Sequence, residues 1–361
     1  MNHNFAIIMA GGLGSRFWPV STSQKPKQFL DVLNTGETLL QQTFRRVSLI
    51  IPKENILIIT KSDYFNFCLE QLPEINKENI ICEPSRRNTA PCIALAAFKL
   101  KKLDPLANFV VTPADHLVTN ESEFERIIRL GLSITAENNI LLTLGISPNK
   151  PETGYGYIQY KSEENTFNSE IKTVKTFTEK PELELAKSFL KTGEFLWNSG
   201  IFIWNANSIL SAFEKHMPDM YSLFENGWNK INSNNEKAFL ETIYPHCPNE
   251  SIDYGILEKS AQVYVLKGDF GWSDLGTWGA IYSDLKKNDQ GNVGDSKNIF
   301  LYDSKDNLIS LPEEMVAVVE GLSDYIVVQH DNRLLICPKK SDQNIKKFVT
   351  DIKLKLGQEE V

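Results

Sequence analysis

Cysteine is scarce and scattered. The 361-residue chain holds five (Cys68, Cys82, Cys92, Cys247, Cys337), none in a CxxC pair and no two closer than ten positions. An odd, dispersed set excludes a disulfide framework and a dithiol redox centre, and it fits reduced thiols in a cytoplasmic setting. Histidine is equally sparse: residues 3, 116, 216, 246 and 330 have no zinc-ligand spacing. Long apolar runs are missing, since the first, Phe5–Ala10, is too short for a signal or membrane-spanning segment. Positive charge is also in deficit, with 38 Lys and Arg against 46 Asp and Glu and a net charge of −8. That balance argues against nucleic acid or an anionic membrane as partner, because both require a basic footprint. A small anionic substrate stays open, since a few local cations suffice. No internal repeat and no low-complexity tract stand out. What is present is ordinary globular material, 42% hydrophobic and 23% charged, enough for two or three domains.

Short apolar runs recur through the first half: Phe5–Ala10, Asn55–Thr60, Asn79–Cys82, Asn108–Thr112 and Ile140–Leu144. Helical periodicity fills the gaps at Glu37–Ile50, Thr89–Leu103 and Glu121–Ala136. In Thr89–Leu103, Ala90, Ile93, Ala94, Ala97 and Leu100 share one face, with Asn88 or Thr89 as cap and Pro91 in the first turn. Strand and helix alternating at this spacing predict right-handed βαβ units and an α/β fold. The sheet is expected to be mixed but mostly parallel, Rossmann-like, with both faces covered by helices. After Gly145 the rhythm changes to longer strands at Gly154–Tyr160, Ile171–Glu179 and Phe195–Asn205, with helices near Ser208–Met217 and Asp253–Ser260. The Asn-rich stretch Asn229–Asn235 reads as a surface loop. Beyond Gly291 come five short strand candidates: Asn298–Tyr302, Asn307–Leu311, Met315–Glu320, Tyr325–Gln329 and Arg333–Cys337. They predict a small all-β unit, either hairpins or a short β-helix. The last segment, Ser341–Leu356, places Ile345, Phe348, Val349 and Ile352 on one helical stripe. The expected division is therefore residues 1–285 and a β-rich accessory domain at 290–361, the latter serving packing or dimerisation.

The most informative segment is Met9-Ala-Gly-Gly-Leu-Gly-Ser-Arg16, directly after the first apolar strand. Its glycines allow a sharp turn and bring N–H groups close to an anion. A Walker loop would end in Gly-Lys-Ser/Thr, which Ser15-Arg16 is not. A dinucleotide fingerprint would need glycine at Phe17 and an acid closing the second strand, where Thr60-Lys61 stands. What remains is Gly12-x-Gly14-x-Arg16, nine residues, then Pro26-Lys27. A glycine cradle followed by two cations is what a triphosphate requires. Taken alone, so short a pattern is about as often a plain strand-to-helix turn.

This pattern resembles the signature of the sugar-phosphate nucleotidyltransferases, and the wider run Ala10–Leu30 resembles the mannose-1-phosphate guanylyltransferases within them. Further matches follow in order: Glu83-Pro-Ser-Arg-Arg-Asn-Thr-Ala-Pro91, Pro113-Ala-Asp-His116, Gly154-Tyr-Gly-Tyr-Ile158, Phe177-Thr-Glu-Lys-Pro181, Trp197-Asn-Ser-Gly200, Ser251-Ile-Asp-Tyr254 and Trp272-Ser-Asp-Leu-Gly276. Two departures are visible. Ser15 replaces a common Thr, and Thr22 stands where many members carry Arg, leaving Lys25 as a substitute cation. Longer family members append an isomerase domain, for which 361 residues leave no room, so a single activity is expected.

The resemblance implies transfer of GMP from GTP to mannose 1-phosphate, giving GDP-mannose and pyrophosphate without a covalent nucleophile. Ala10, Gly11, Gly12 and Gly14 would cradle the nucleotide, with Arg16 on the β- and γ-phosphates and Lys27 near the α-phosphate. Asp115 and Asp274 would hold Mg²⁺ as a pair, although each acid alone reads as a turn or cap residue. His116 reads as a structural neighbour. Glu83, Arg87, Asn88 and Thr89 would form the base and ribose side, with Glu83 accepting from guanine N1–H and the 2-amino group. Gly154, Glu179, Lys180, Asn198 and Asp253 would take the sugar phosphate. Trp18, Trp197, Trp204, Trp272 and Trp278 are read as core or wall residues rather than stacking platforms. Expected alternatives are a guanylyl- or thymidylyltransferase for glucose, heptose or fucose phosphate, and a non-catalytic nucleotide-sugar-binding regulator. A fold-only dehydrogenase is disfavoured by the failed fingerprint. The expected form is a cytoplasmic homodimer.

Overall fold

A computed structural model describes residues 3–162, 168–294 and 297–357. The chain forms two compact units, each assembled from separated segments. The first comprises Met1–Gly11, Thr43–Ala114 and Val118–Trp272; the second comprises Gly12–Gln42, Asp115–Leu117 and Ser273–Val361. These units do not follow the cut expected near residue 290, because Gly12–Gln42 folds with the C-terminal segment.

The first unit is built on one nine-stranded sheet. Its strands are β1 (Asn4–Met9), β2 (Ile56–Lys61), β3 (Ile80–Glu83), β4 (Asn108–Pro113), β5 (Leu141–Ile146), β6 (Tyr157–Tyr160), β7 (Ile171–Thr178), β8 (Phe195–Asn205) and β9 (Val263–Gly268). Their order across the sheet is β3-β2-β1-β4-β8-β5-β9-β7-β6. The first four are parallel, with Ile7 opposite Leu57 and Val111. Strand β8 then inserts antiparallel between β4 and β5, and only β5 and β9 are parallel beyond it. So the sheet is mixed, with its parallel part at the N-terminal end where crossovers are helical. The apolar runs read as continuous because these strands are covered on both faces, Ala6, Ile7 and Ile8 being fully buried.

Helices α1 (Leu39–Ser48), α2 (Phe65–Gln71), α3 (Thr89–Leu103), α4 (Glu121–Glu137), α5 (Leu183–Thr192), α6 (Ala206–His216), α7 (Pro218–Glu225) and α8 (Glu236–Ile243) complete the crossovers. Helix α3 has the predicted limits, and Asn88 is its cap, accepting from the Thr89 N–H at 2.9 Å. It is buried almost all round and packs Phe98 against Phe224 with ring centroids 5.5 Å apart. The sequence reading did not resolve α5, α7, α8 and the short α2, each of ten residues or fewer. The stretch Asn229–Asn235 is surface-exposed, except that Ile231 plugs into the core.

The second unit carries α9 (Trp278–Asp284), the strands β10 (Ile299–Tyr302), β11 (Leu308–Ser310), β12 (Ala317–Glu320), β13 (Tyr325–His330) and β14 (Arg333–Pro338), and α10 (Ile345–Leu356). Strand β10 lies parallel on β12, and β11 parallel on β13, so the five candidates form short β-helical rungs closed by the antiparallel pair β13–β14. A repeat is present here after all, carried by the corners and not by the strands. Gly291, Asp306 and Asp324 all take left-handed backbone conformations, each just before a rung. Beneath them, buried Asn307 donates to Asn292 Oδ1 at 3.1 Å, and Asn307 Oδ1 accepts from the Tyr325 N–H at 2.9 Å. Stacked amides of this kind satisfy corner backbone that would otherwise be buried unpaired. The unit's core joins Phe17, Trp18 and Leu39 to Leu275, Trp278, Val293, Leu308, Ile326 and Ile345, with Phe348, Val349 and Ile352 of α10 packed against it.

Candidate functional site

In the second unit the glycine loop runs from Gly12 into a single 3-10 turn, Ser15–Phe17. Gly14 has φ +60°, and a side chain there would collide with the Cβ of Lys27, so glycine is required twice over. The carbonyls of Gly12 and Leu13 accept from Gln28 Nε2 (3.1 Å) and Ser21 Oγ (2.9 Å). Among the described residues, no backbone N–H from Gly12 to Arg16 donates to a protein acceptor. A run of successive free N–H groups is an anion-binding nest. Arg16 sits half-buried within it, with no ion-pair partner among the described residues. Thr22 and Lys25 close on each other through backbone and hydroxyl bonds, leaving the Lys25 side chain exposed.

Lys27 is the hub of this unit. It is 2% exposed, and its Nζ donates to the Asp274 carbonyl at 2.7 Å and to Asp115 Oδ2 at 3.3 Å, 5.1 Å from the centre of the Phe17 ring. Residues from three distant parts of the chain therefore meet at one ammonium group. The Asp274 carboxylate is turned by its own loop, Oδ1 accepting from the Gly276 N–H at 2.8 Å. Burial pushes the Asp115 carboxyl up, but Lys27 and then His116 outweigh it and hold the acid below its usual range. His116 Nε2 lies 3.9 Å from Asp115 Oδ1, a flanking position. Among the described residues no three His, Cys, Asp or Glu side chains cluster as a metal cage. Carboxylate oxygens such as those of Asp115 and Asp274 are of the type that a hard cation sharing phosphate oxygens and water takes.

The first unit holds the other candidates in two groups. Ala10 ends β1, its N–H donating to Ile59 O at 2.8 Å and its carbonyl accepting from Thr60 Oγ1 at 2.8 Å. Gly11 follows, and a Cβ there would stand 4.0 Å from Glu83 Oε2. Glu83 closes β3, and its Oε1 accepts from the Tyr244 hydroxyl at 3.1 Å. Burial pushes the Glu83 carboxyl up to about 7, against the pull of that hydrogen bond and of Arg86. Arg87 donates to the Pro245 carbonyl at 3.0 Å. Asn88 adopts φ 68°, ψ −166°, a conformation glycine favours, and holds it as the α3 cap. Thr89 Oγ1 accepts from the Ile252 N–H at 2.9 Å, and the Ala90 N–H donates to Glu250 O at 3.1 Å.

The second group surrounds Asn198. Its Nδ2 donates to Asp253 Oδ1 at 2.7 Å, while its Oδ1 accepts from Gly200 N–H and lies 3.2 Å from Thr143 Oγ1. Asp253 opens a single π-turn, Asp253–Leu257, where the sequence predicted an ordinary helix. Burial and then Glu179 push the Asp253 carboxyl up to about 6. Glu179 pairs with Lys180, which is held at φ +47° and donates its N–H to Tyr155 O at 3.2 Å. Gly154 is less open than expected, since its N–H donates to Glu152 Oε1 at 3.1 Å. Gly156 lies against the site instead: a Cβ there would collide with the Glu179 carboxylate. Trp18, Trp197, Trp204 and Trp278 are buried, while Trp272 is half-buried edge-on to Tyr155 at 5.1 Å.

Sequence reasoning missed Tyr244, Thr143, Gly156, Gln28 and Phe17 as parts of these clusters. Gly154-Tyr-Gly156 gave a visible signal for one of them. Tyr244 gave none, because nothing local marks a tyrosine that reaches back 161 positions.

Comparison with known proteins matches a nucleotidyl transferase family model to residues 5–290, and a mannoseP isomerase/GMP-like beta-helix domain model to residues 297–352. The chain belongs to the nucleotidyl transferase family. It is 38% identical over 363 residues to a mannose-1-phosphate guanylyltransferase from Salmonella muenchen, covering 98% of this chain and 74% of that protein. Among solved structures it is similar to a Thermus thermophilus protein described as a mannose-1-phosphate geranyltransferase (TM-score 0.87, 27% identity, 98% of this chain and 100% of that one). It is also similar to a Helicobacter pylori mannose-6-phosphate isomerase (TM-score 0.61, 26% identity, 75% of this chain and 99% of that one). No helix among the described residues is long and apolar enough to cross a membrane.

Proposed function

We propose that this protein transfers GMP from GTP to α-D-mannose 1-phosphate, forming GDP-mannose and pyrophosphate. The observation that carries the reading is the meeting of Lys27, Asp115 and Asp274 in the unit that holds the free N–H run of Gly12–Arg16. It is supported by likeness to proteins named for this reaction. A phosphate oxygen of the sugar attacks the α-phosphorus as the bond to the β-phosphate oxygen breaks, so the protein's task is alignment and charge neutralisation. The loop N–H groups and Arg16 bind the β- and γ-phosphates, which favours departure of pyrophosphate. Lys27 fixes Asp115 and the Asp274 loop and adds positive charge near the α-phosphate. The family generally uses a divalent metal. We assign Mg²⁺, which Asp115 and Asp274 would hold, and which when bound offsets the charge of the two phosphate groups.

Glu83 accepts from guanine N1–H and the 2-amino group, with Arg87, Asn88 and Thr89 along the ribose side and Ala10 and Gly11 at the base. Asn198, Asp253 and Glu179 accept from or donate to the mannosyl hydroxyls, Lys180 takes the sugar phosphate, and Gly154 shapes the entry. The assembly we assign is a cytoplasmic homodimer, supported by the exposed Phe300, Tyr302, Val316 and Val318 of the β-helical rungs and read out by sedimentation equilibrium. The deciding assay is pyrophosphate release with GTP, ATP, UTP and dTTP against mannose, glucose, fucose and heptose 1-phosphates. The highest kcat/KM is expected for GTP with mannose 1-phosphate, and a clear preference for another pair would replace this reading.

A further inference from the structure

Glu83 is the one side chain of the base group whose chemistry depends on its protonation state. As a carboxylate it only accepts, which matches the N1–H and 2-amino edge of guanine. As a neutral acid it donates through one oxygen and accepts through the other, which matches adenine N1 and its 6-amino group equally well. The same residue can therefore select guanine or admit adenine, depending on one proton.

The structure supplies a part that governs that proton. Tyr244 begins a short 3-10 turn after α8, its ring is fully buried, and it stands edge-on to Phe224 with centroids 6.2 Å apart. Its hydroxyl donates to Glu83 Oε1 at 3.1 Å, while Oε2 faces Gly11, where the missing side chain leaves room. The turn is itself anchored, since the Pro245 carbonyl accepts from Arg87, and four residues past it the Glu250 carbonyl accepts from the Ala90 N–H. We propose that Tyr244 is a positioning residue for nucleotide selection, its hydroxyl holding Glu83 as an acceptor-only carboxylate with one oxygen presented past Gly11 and thereby keeping adenine out. This rests on the reading that Glu83 faces the base.

The surrounding groups leave Glu83 as the group that changes charge near neutral pH. Burial places its carboxyl at about 7, with the Tyr244 bond and Arg86 both pulling it down. Burial holds the Tyr244 phenol well above its usual value, so it stays a donor. The neighbouring thiols are also raised, Cys92 well above its usual value and Cys247 to about 11, both first by burial. Lys61 sits opposite Glu83 in the β2–β3 register but is occupied by Asp63. Loss of the Tyr244 hydroxyl therefore moves Glu83 toward its neutral form, because a hydrogen bond to the charged form is removed.

The test is kcat/KM for GTP and for ATP with saturating mannose 1-phosphate between pH 5.5 and 8.5, for the native protein, Tyr244→Phe, Glu83→Gln and the double variant. In the native protein the GTP-to-ATP ratio should rise with pH through the neutral range. Tyr244→Phe should lower the ratio about tenfold at pH 7 and move its midpoint upward by about one pH unit. Glu83→Gln should flatten the profile, and adding Tyr244→Phe to it should change nothing further. An unchanged ratio and midpoint in folded Tyr244→Phe would overturn the proposal while leaving Glu83 as the base reader. A native ratio and profile in Glu83→Gln would instead overturn the base reading itself. If Tyr244→Phe fails to fold, the native profile decides, since a ratio independent of pH contradicts the role given to Glu83's proton.

Discussion

At Lys27, one buried ammonium serves one carboxylate, one main-chain carbonyl and a ring face. Removing it strands Asp115, whose side chain is partly buried and held ionised by that charge. Because the Asp115 acid is depressed in the folded protein, the stability it adds is present above the ordinary carboxylate range and lost as pH falls. Lys27→Met should therefore cut kcat by about a hundredfold or more and flatten the loss of stability that Asp115 contributes as pH falls below the ordinary carboxylate range, read from thermal melts between about pH 2 and 7. Asp253 has the opposite sign. Its carboxyl is raised to about 6, so its contribution is fully present below the unfolded value and lost as pH rises through 6. Asp253→Asn should raise Tm at pH 7.5 relative to pH 5 while weakening mannose 1-phosphate binding. An identical pH dependence in the two proteins would remove Asp253 as the titrating group. The two acids proposed to hold the metal follow a third rule. Asp115→Asn and Asp274→Asn should each lower kcat about a hundredfold or more, and the double variant should be little worse than the poorer single, because both would act on one ion. Additive losses in kcat would separate them.

Among the elements, the segment from Tyr244 to Asp253 does what no motif announced. It receives Glu83 from the end of β3, Arg87 from the loop after it and Thr89 and Ala90 from the start of α3, and ends at the acid bonded to Asn198. Thr89→Val keeps the shape but leaves the N–H of fully buried Ile252 without its acceptor, which should cost about 1–3 kcal/mol in urea unfolding, whereas Thr89→Ser should recover most of it. What could be read beforehand follows from range. Helix α3 was legible because its apolar spacing, cap and Pro91 are local, and β8 because apolar and aromatic residues flank its Asn198-Ser-Gly200 break on both sides. The loop Gly12–Arg16 could be singled out because it is a short turn of unusual composition, whereas Asp115 and Asp253 entered as site candidates through the resemblance and not through any local pattern. The Asn292–Asn307 stack, the Tyr244 bond and the π-turn at Asp253 were not legible, since each is decided by partners far away in sequence. The β-helical repeat escaped for a related reason: its period lies in backbone conformation at Gly291, Asp306 and Asp324, while the rung residues between them vary.

At the scale of the whole molecule, the C-terminal region is tied to the glycine loop by packing. Its rungs and α10 share one core with Phe17 and Trp18, which flank Arg16 and the turn into Lys27. Removing residues 291–361 takes Val293, Leu308, Ile326 and Ile345 from that core, so the loop loses its footing. The truncated chain should be inactive or insoluble, and a soluble, fully active form would show that the loop stands without it.

The second unit also sets a schedule for the newborn chain. Gly12–Gln42 leaves the ribosome long before the segment from Ser273 onward, which supplies most of its core partners. At ordinary elongation rates the interval is on the order of tens of seconds, during which Phe17, Trp18 and Phe29 have no finished home. A cell making this protein has to shelter that segment, and a stalled or nonsense-terminated product would expose it permanently. Such fragments are natural clients for holding chaperones and proteases, so the fate of Gly12–Gln42 is decided by whether the segment from Ser273 onward is completed.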